Sequence, residues 1–154
     1  QMNRTAWLDE GLEAYPRAAY TTSNVGYLYQ QETGNDDDGS PMSNVYIESG
    51  DFDLQDGESS QYVGRIIPDV KFTGNNASSL INCVLKTRNY PGDSLTTKST
   101  SNVSSSTTKL NVRGRARQIV LRFESDDDNI ASYTLGLGFR IGATRIGTRL
   151  NGRR

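Results

Sequence analysis

Lys109-Leu110-Asn111-Val112-Arg113-Gly114-Arg115-Ala116-Arg117-Gln118-Ile119-Val120-Leu121-Arg122-Phe123-Glu124 is the stretch on which the fold turns. Its first half places small and apolar residues at even positions (Leu110, Val112, Gly114, Ala116) and arginines between them, the period of a strand with one wet face. The phase then inverts, because Ile119, Leu121 and Phe123 are odd-numbered and alternate with Val120, Arg122 and Glu124. A β-bulge near Arg115 to Gln118 restores the phase, and so does a break between two short strands. Either way, both apolar sets face one core.

Downstream, Ser125-Asp126-Asp127-Asp128-Asn129 reads as a turn, after which Tyr133, Leu135, Leu137, Phe139 and Ile141 alternate with Thr134, Gly136, Gly138, Arg140 and Gly142. The glycine-rich side of that strand implies a close neighbour over the backbone or a sharp bend. Arg145, Gly147 and Arg149 alternate again, and Asn151-Gly152 reads as a turn before Arg153-Arg154. Upstream, Val25, Tyr27 and Tyr29 share one phase, and 34–41 has the composition of a turn. Val45 and Ile47 form the inner face of a strand that Gly50 bends towards Phe52 and Leu54. Residues 62–72 form another strand, which Pro68 confines to an edge or splits in two. Leu80 to Tyr90 returns as a strand.

Residues 93–108 carry eleven serines or threonines in sixteen positions, the composition of a polar loop or of an extended strand held against a neighbour. Gly11 and Pro16 limit any helix near the start to about one turn, so 1–23 reads as an irregular N-terminal arm with one or two short strands. Trp7 is its natural anchor. The expected fold is all-β: a β-sandwich or jelly-roll-like domain over 24–154, with long polar connections including a Ser/Thr-rich loop at 93–108.

A chain of 154 residues, 34% hydrophobic, has room for one real core. The net charge of -1 conceals an asymmetry. From Lys109 onward there are ten basic and four acidic residues, and before it seven basic and fourteen acidic. Such halves attract one another or complementary subunits. No histidine is present and Cys83 stands alone on an apolar phase, which removes the usual metal, general-base and thiol arrangements and any internal disulfide. No phosphate loop, nucleophile elbow, signal peptide or membrane span is legible. Beginning at Gln1, the chain reads as a processed or excised piece of a longer polypeptide.

The remaining chemistry comes down to four residue sets. Glu32, Glu48, Asp51, Asp53 and Asp69 are carboxylates of the kind a glycosidase pairs, although acidic residues fall at such places in any soluble β-protein. Asp36, Asp37 and Asp38 offer oxygens to a hard cation but lack the spacing of a calcium loop, so a solvated turn is the better reading and no metal or other cofactor is expected. Tyr27, Tyr46 and Tyr62 would supply stacking faces for a glycan if they gathered on one surface. Arg113, Arg115, Arg117 and Arg122, with Arg140, Arg145, Arg153 and Arg154, suit phosphates, carboxylates of another subunit, or solvent.

Several segments together carry a family likeness. Gly26-Tyr27-Leu28-Tyr29-Gln30-Gln31-Glu32-Thr33-Gly34, Asp38-Gly39-Ser40-Pro41, Tyr46-Ile47-Glu48-Ser49-Gly50-Asp51-Phe52-Asp53-Leu54 and Arg65-Ile66-Ile67-Pro68-Asp69 are joined by Arg115 to Ser125, Leu137 to Ile146 and Asn151-Gly152-Arg153-Arg154. The ensemble resembles the C-terminal portion of the tail nozzle and tail tube structural proteins of short-tailed bacteriophages, from about Trp7 to the end. The chain departs from that family in its shortness and in having Phe139 where relatives tend to have tryptophan or another bulky residue. The resemblance implies a non-enzymatic virion protein that forms rings with copies of itself, joins other tail proteins and helps conduct the genome, with non-specific contact to DNA. The alternative is a carbohydrate-binding or host-surface-recognition module of a virion.

Overall fold

The computed structural model describes residues 6–9, 14–33, 36–37, 40–41, 44–53, 59–73, 81–126 and 138–153. Among them lie fourteen strands and no helix, and every named pairing is antiparallel. The protein is all-β, as its alternation implies. It divides into two compact units, Gln1–Gly34 and Asn35–Arg154.

The first unit is a three-stranded sheet of β1 (Ala6–Leu8), β2 (Arg17–Thr22) and β3 (Val25–Gln30), in that order. Thr22 pairs with Val25 across Ser23 and Asn24, whose φ angles of 50° and 64° match the two-residue hairpin turn that follows the twist of its strands. That turn ties β3 to β2, so the unit runs beyond the expected boundary at residue 23. Trp7, Ala18 and Tyr29 align in one register row, and Tyr20 and Tyr27 in another on the same face. Tyr27 and Tyr29 stack with ring centroids 6.0 Å apart. Trp7 stays 53% exposed rather than anchoring the strand by burial.

The second unit contains β4 (Asp36–Asp37), β5 (Ser40–Pro41), β6 (Tyr46–Glu48), β7 (Ser59–Ile67), β8 (Val70–Thr73), β9 (Ile81–Arg88), β10 (Thr96–Val103), β11 (Leu110–Ala116), β12 (Gln118–Ser125), β13 (Gly138–Ile141) and β14 (Arg145–Arg153). One sheet has the order β10-β9-β12-β6 and another β11-β7-β14, with the pairs β13-β8 and β4-β5 besides. The phase inversion after Ala116 is a break rather than a bulge: the chain bends at Arg117 and passes from the three-stranded to the four-stranded sheet. Val63, Ile66, Leu110 and Val112 from the first of these sheets and Ile81, Cys83, Leu85, Val103, Ile119, Leu121 and Phe123 from the second form a single core. Each large aliphatic or aromatic side chain buried there contributes roughly 1.5–3 kcal/mol.

Two residues adjust this packing. Gly114 lies under Leu85: a Cβ at that position would stand 2.8 Å from Leu85 Cδ2, so the glycine lets the two sheets approach. Gln61, fully buried, donates from Nε2 to the carbonyl oxygens of Phe52 (3.2 Å) and Arg117 (3.1 Å), fixing the crossing bend. In β7, Arg65 and Val63 face the consecutive residues Gly147 and Thr148, which leaves Gly64 as a bulge. The extra residue brings Val63 and Ile66, three apart, onto the same core.

Other expectations meet a mixed outcome. Pro68 splits its strand into β7 and β8, and the segment after Glu48 bulges around Gly50 before Phe52 rejoins β12 at Ile119. The Ser/Thr-rich stretch 93–108 is not a loop throughout. Thr96–Val103 is the edge strand β10, with Val103 buried opposite Ile81, and Ser104 to Thr107 forms the turn that follows. Asn151-Gly152 is a bulge inside β14, with Gly152 at φ 90°, rather than a turn that ends it. The strand read over 133–141 is described from Gly138 only.

Candidate functional site

The outward face of the β11-β7-β14 sheet is basic. Burial of Leu110, Val112, Gly114 and Ala116 turns Arg113 and Arg115 to the other side of β11. Arg115 shares a row with Tyr62 and Arg149, while Asn111 shares one with Arg65 and Gly147. Arg65, Arg113, Arg115, Arg145 and Arg149 are all exposed, and none of the three strands contains an aspartate or glutamate. Among the described residues none of these five arginines forms an ion pair.

Several of these arginines lie against the sheet. The Arg149 guanidinium lies 4.8 Å above the Tyr62 ring, and Arg115 Nη2 donates to the Asn151 carbonyl at 3.0 Å. Arg65 lies across Gly147, where a Cβ would come within 2.5 Å of its Cγ. Beyond Pro68 the β8-β13 pair carries on from the same two chain segments. There Val70, Phe72, Phe139 and Ile141 pack on the core, and Lys71 stands directly opposite Arg140, both exposed. Asp69, in the break between β7 and β8, is occupied locally: its Oδ2 accepts the Ala143 N–H at 3.0 Å.

The predicted arginines therefore divide. Arg113, Arg115 and Arg145 belong to the basic face, and Arg140 lies on β13 in the separate β13-β8 pair. Arg117 does not share a strand face with Arg113 and Arg115, because the crossing bend takes it past the end of β11 and half-buries it. Arg122 is on the other sheet, where it binds Glu124 and Glu48 and covers the Tyr46 ring at 3.7 Å. The backbone of Arg153 ends β14, while its side chain and Arg154 lie outside the described residues. Arg65 and Arg149 join the face from the structure. Arg149 had a signal, its alternation with Arg145 and Gly147, whereas Arg65 is brought in only by the central position of β7.

Tyr46 and Tyr62 stand on different sheets, each beneath an arginine, and Tyr27 belongs to the first unit. Of the carboxylates, Glu48 accepts from Lys86 Nζ at 2.6 Å, and that hydrogen bond holds it below its ordinary value, opposite to what a general acid needs. Asp51 pairs with Arg88. Glu32 lies in the first unit and Asp53 is exposed next to Phe52. Burial pushes the Cys83 thiol up to about 12, leaving it protonated and inert. Asp36 and Asp37 form β4, but their side chains, and Asp38 altogether, lie outside the described residues. No three potential metal-ligating side chains converge among the described residues. Comparisons with protein-family models, with curated proteins and with solved structures return no match.

Proposed function

We propose that this chain is a non-enzymatic structural protein of a bacteriophage tail, a β-sandwich or jelly-roll-like piece of a nozzle, tube or adaptor that helps build the genome-delivery conduit in the virion. Its partners in this reading are copies of itself in a ring and other tail proteins. The observation that carries the proposal is the basic face: five exposed arginines on three adjacent strands without a carboxylate. A surface of that kind raises a local positive potential and is suited to docking a partner of opposite charge. The likeness of the terminal segments to tail proteins supplies the virion setting, and the local engagement of Glu48, Asp51 and Asp69 supports a role without catalysis.

The test is assembly. Mass spectrometry and electron microscopy of intact particles should find the chain in the tail in a ring, and Arg113→Glu/Arg145→Glu should fold but fail to enter particles. A monomeric protein, absent from virions and active on a polysaccharide, would overturn the proposal. The second reading, recognition of a host-surface glycan, is favoured by the aromatic face of the first unit, where Trp7, Tyr20, Tyr27 and Tyr29 align. Its signature is glycan binding that Trp7→Ala abolishes.

A further inference from the structure

We infer that Asn151 is a site of spontaneous covalent modification: the backbone nitrogen of Gly152 closes on the Asn151 side-chain amide, ammonia leaves, and the residue becomes aspartate or isoaspartate, with Arg115 promoting the ring closure. The inference stands apart from the tail reading and requires no partner.

Asn151-Gly152 is the only Asn-Gly pair in the chain. Ring closure is easiest before glycine, because a Cβ there would hinder the approach of the nitrogen and stiffen the backbone. A regular strand suppresses the reaction, since the ladder holds the peptide nitrogen and keeps the backbone extended. Here that protection is interrupted. β14 lies at the edge of its sheet, and its register with β7 passes from Leu150 opposite Gln61 to Arg153 opposite Ser59. Asn151 and Gly152 therefore stand together against Ser60 in a bulge outside the paired rows. Gly152 has left the extended range, with φ at 90°, and it is exposed, so water reaches the peptide that must react.

Arg115 supplies the electrostatics. Its Nη2 donates to the Asn151 carbonyl at 3.0 Å and lies 3.4 Å from where a Cβ of residue 152 would stand, so the guanidinium sits on the peptide whose nitrogen attacks. A cation bonded to a peptide oxygen draws electron density from the N–H of the same unit and makes its proton easier to remove. The surrounding arginines favour the negative charge that develops as the ring closes.

Water is the only co-reactant. Hydroxide takes the Gly152 amide proton, the nitrogen lone pair bonds to Asn151 Cγ, and the Cγ–Nδ2 bond breaks as the leaving nitrogen takes a proton from water, which regenerates the hydroxide. Water then opens the succinimide: cleavage of the N–Cγ bond gives aspartate, and cleavage at the main-chain carbonyl gives isoaspartate. Nothing is oxidised or reduced. Either product brings a carboxylate beside Arg115 on a sheet whose three strands contain none, and isoaspartate also lengthens the main chain of β14 by a methylene.

The test is timed incubation of the full chain at mildly alkaline pH, followed by proteolysis and mass spectrometry, which locates each amide converted to an acid and separates the two products. Asn151 should convert ahead of every other asparagine, with isoaspartate in excess, and faster as the pH rises. Arg115→Gln should slow the conversion roughly tenfold in the folded chain, about what one charge-assisted hydrogen bond supplies, and should leave the rate in urea unchanged. Arg115→Lys keeps the charge but loses the fork; its rate should fall between the two, which guards against a folding defect in Arg115→Gln. Asn151→Gln, whose ring would be one atom larger, should remain an amide throughout. An Asn151 that survives in the folded chain while it converts in urea would overturn the inference, because the bulge would then shield the pair as a regular strand does. Equal rates in the folded parent, Arg115→Gln and Arg115→Lys would overturn the role of Arg115.

Discussion

On the four-stranded sheet Lys86 and Arg122 share Glu48, Arg122 also holds Glu124, and Arg88 reaches Asp51; on the three-stranded sheet, over the same core, Arg65, Arg113 and Arg145 meet no carboxylate among the described residues. Both sheets contribute buried side chains to that one core, so the contrast lies in their outward faces. On one outward face Lys86, Arg88 and Arg122 are paired with carboxylates of the same chain. The other carries Arg65, Arg113 and Arg145 over the same core without a carboxylate partner among the described residues. The face whose arginines lack carboxylate partners among the described residues is the candidate docking surface.

That contrast holds only if the two sheets stand or fall together, and Leu85→Ala tests this with the largest expected effect. Leu85 is fully buried on the four-stranded sheet and sits over Gly114 of the three-stranded one. Removing its side chain should cost about 2–5 kcal/mol in denaturant unfolding. The loss should appear in one transition for the whole unit. Two separate transitions would break the comparison, because the basic sheet would then have a stability of its own. Gly114→Ala probes the same contact from the other side and should cost about 1–3 kcal/mol, although alanine ordinarily suits a strand better than glycine. Unchanged or raised stability would mean that Leu85 swings away and that the sheets are not tightly keyed there.

The sequence made the core legible and the faces only partly so. Alternation in 110–116 and 119–123 gave both inner faces directly, since a two-residue period is imposed by burial itself. It does not say that the phase inversion marks a passage between sheets, and so it does not separate Arg122 from arginines that belong to the opposite side. β10 was hidden because an edge strand buries little: Val103 is its one buried residue, and serine and threonine have no apolar rhythm to show. The Ser23-Asn24 hairpin was hidden because asparagine tolerates positive φ but serine gives no such signal. Arg65 joined the candidate site only through strand order, which is a tertiary fact.

Charge substitutions sharpen the comparison at smaller scale. Glu48→Gln on the balanced sheet should destabilise by up to about 1 kcal/mol in low salt and less in high salt, as expected for partly exposed pairs. The pH dependence has a defined sign. The folded value of Glu48 lies below its ordinary 4.5, chiefly through the hydrogen bond from Lys86, so its contribution is full above about pH 4.5. It fades as the pH falls through the lowered folded value. An acid titration of stability should therefore be flatter in Glu48→Gln than in the parent over that window, and identical curves would remove Glu48 from the network.

The smallest effect is the most discriminating, because its sign is reversed. Arg140 faces Lys71 across the β8-β13 pair, two like charges directly opposite on an exposed face. Such a pair destabilises by a few tenths of a kcal/mol. Arg140→Gln should consequently raise stability slightly at low ionic strength, and the gain should vanish as salt screens the repulsion. The same substitution on a face that satisfies its own charges would lower stability, as Glu48→Gln does on the other sheet. Thermal melting of both variants across a salt series reads the two signs side by side. A stability loss in Arg140→Gln would mean that Arg140 already has a partner within the chain, and the β13-β8 pair would then be as self-sufficient as the sheet it is contrasted with.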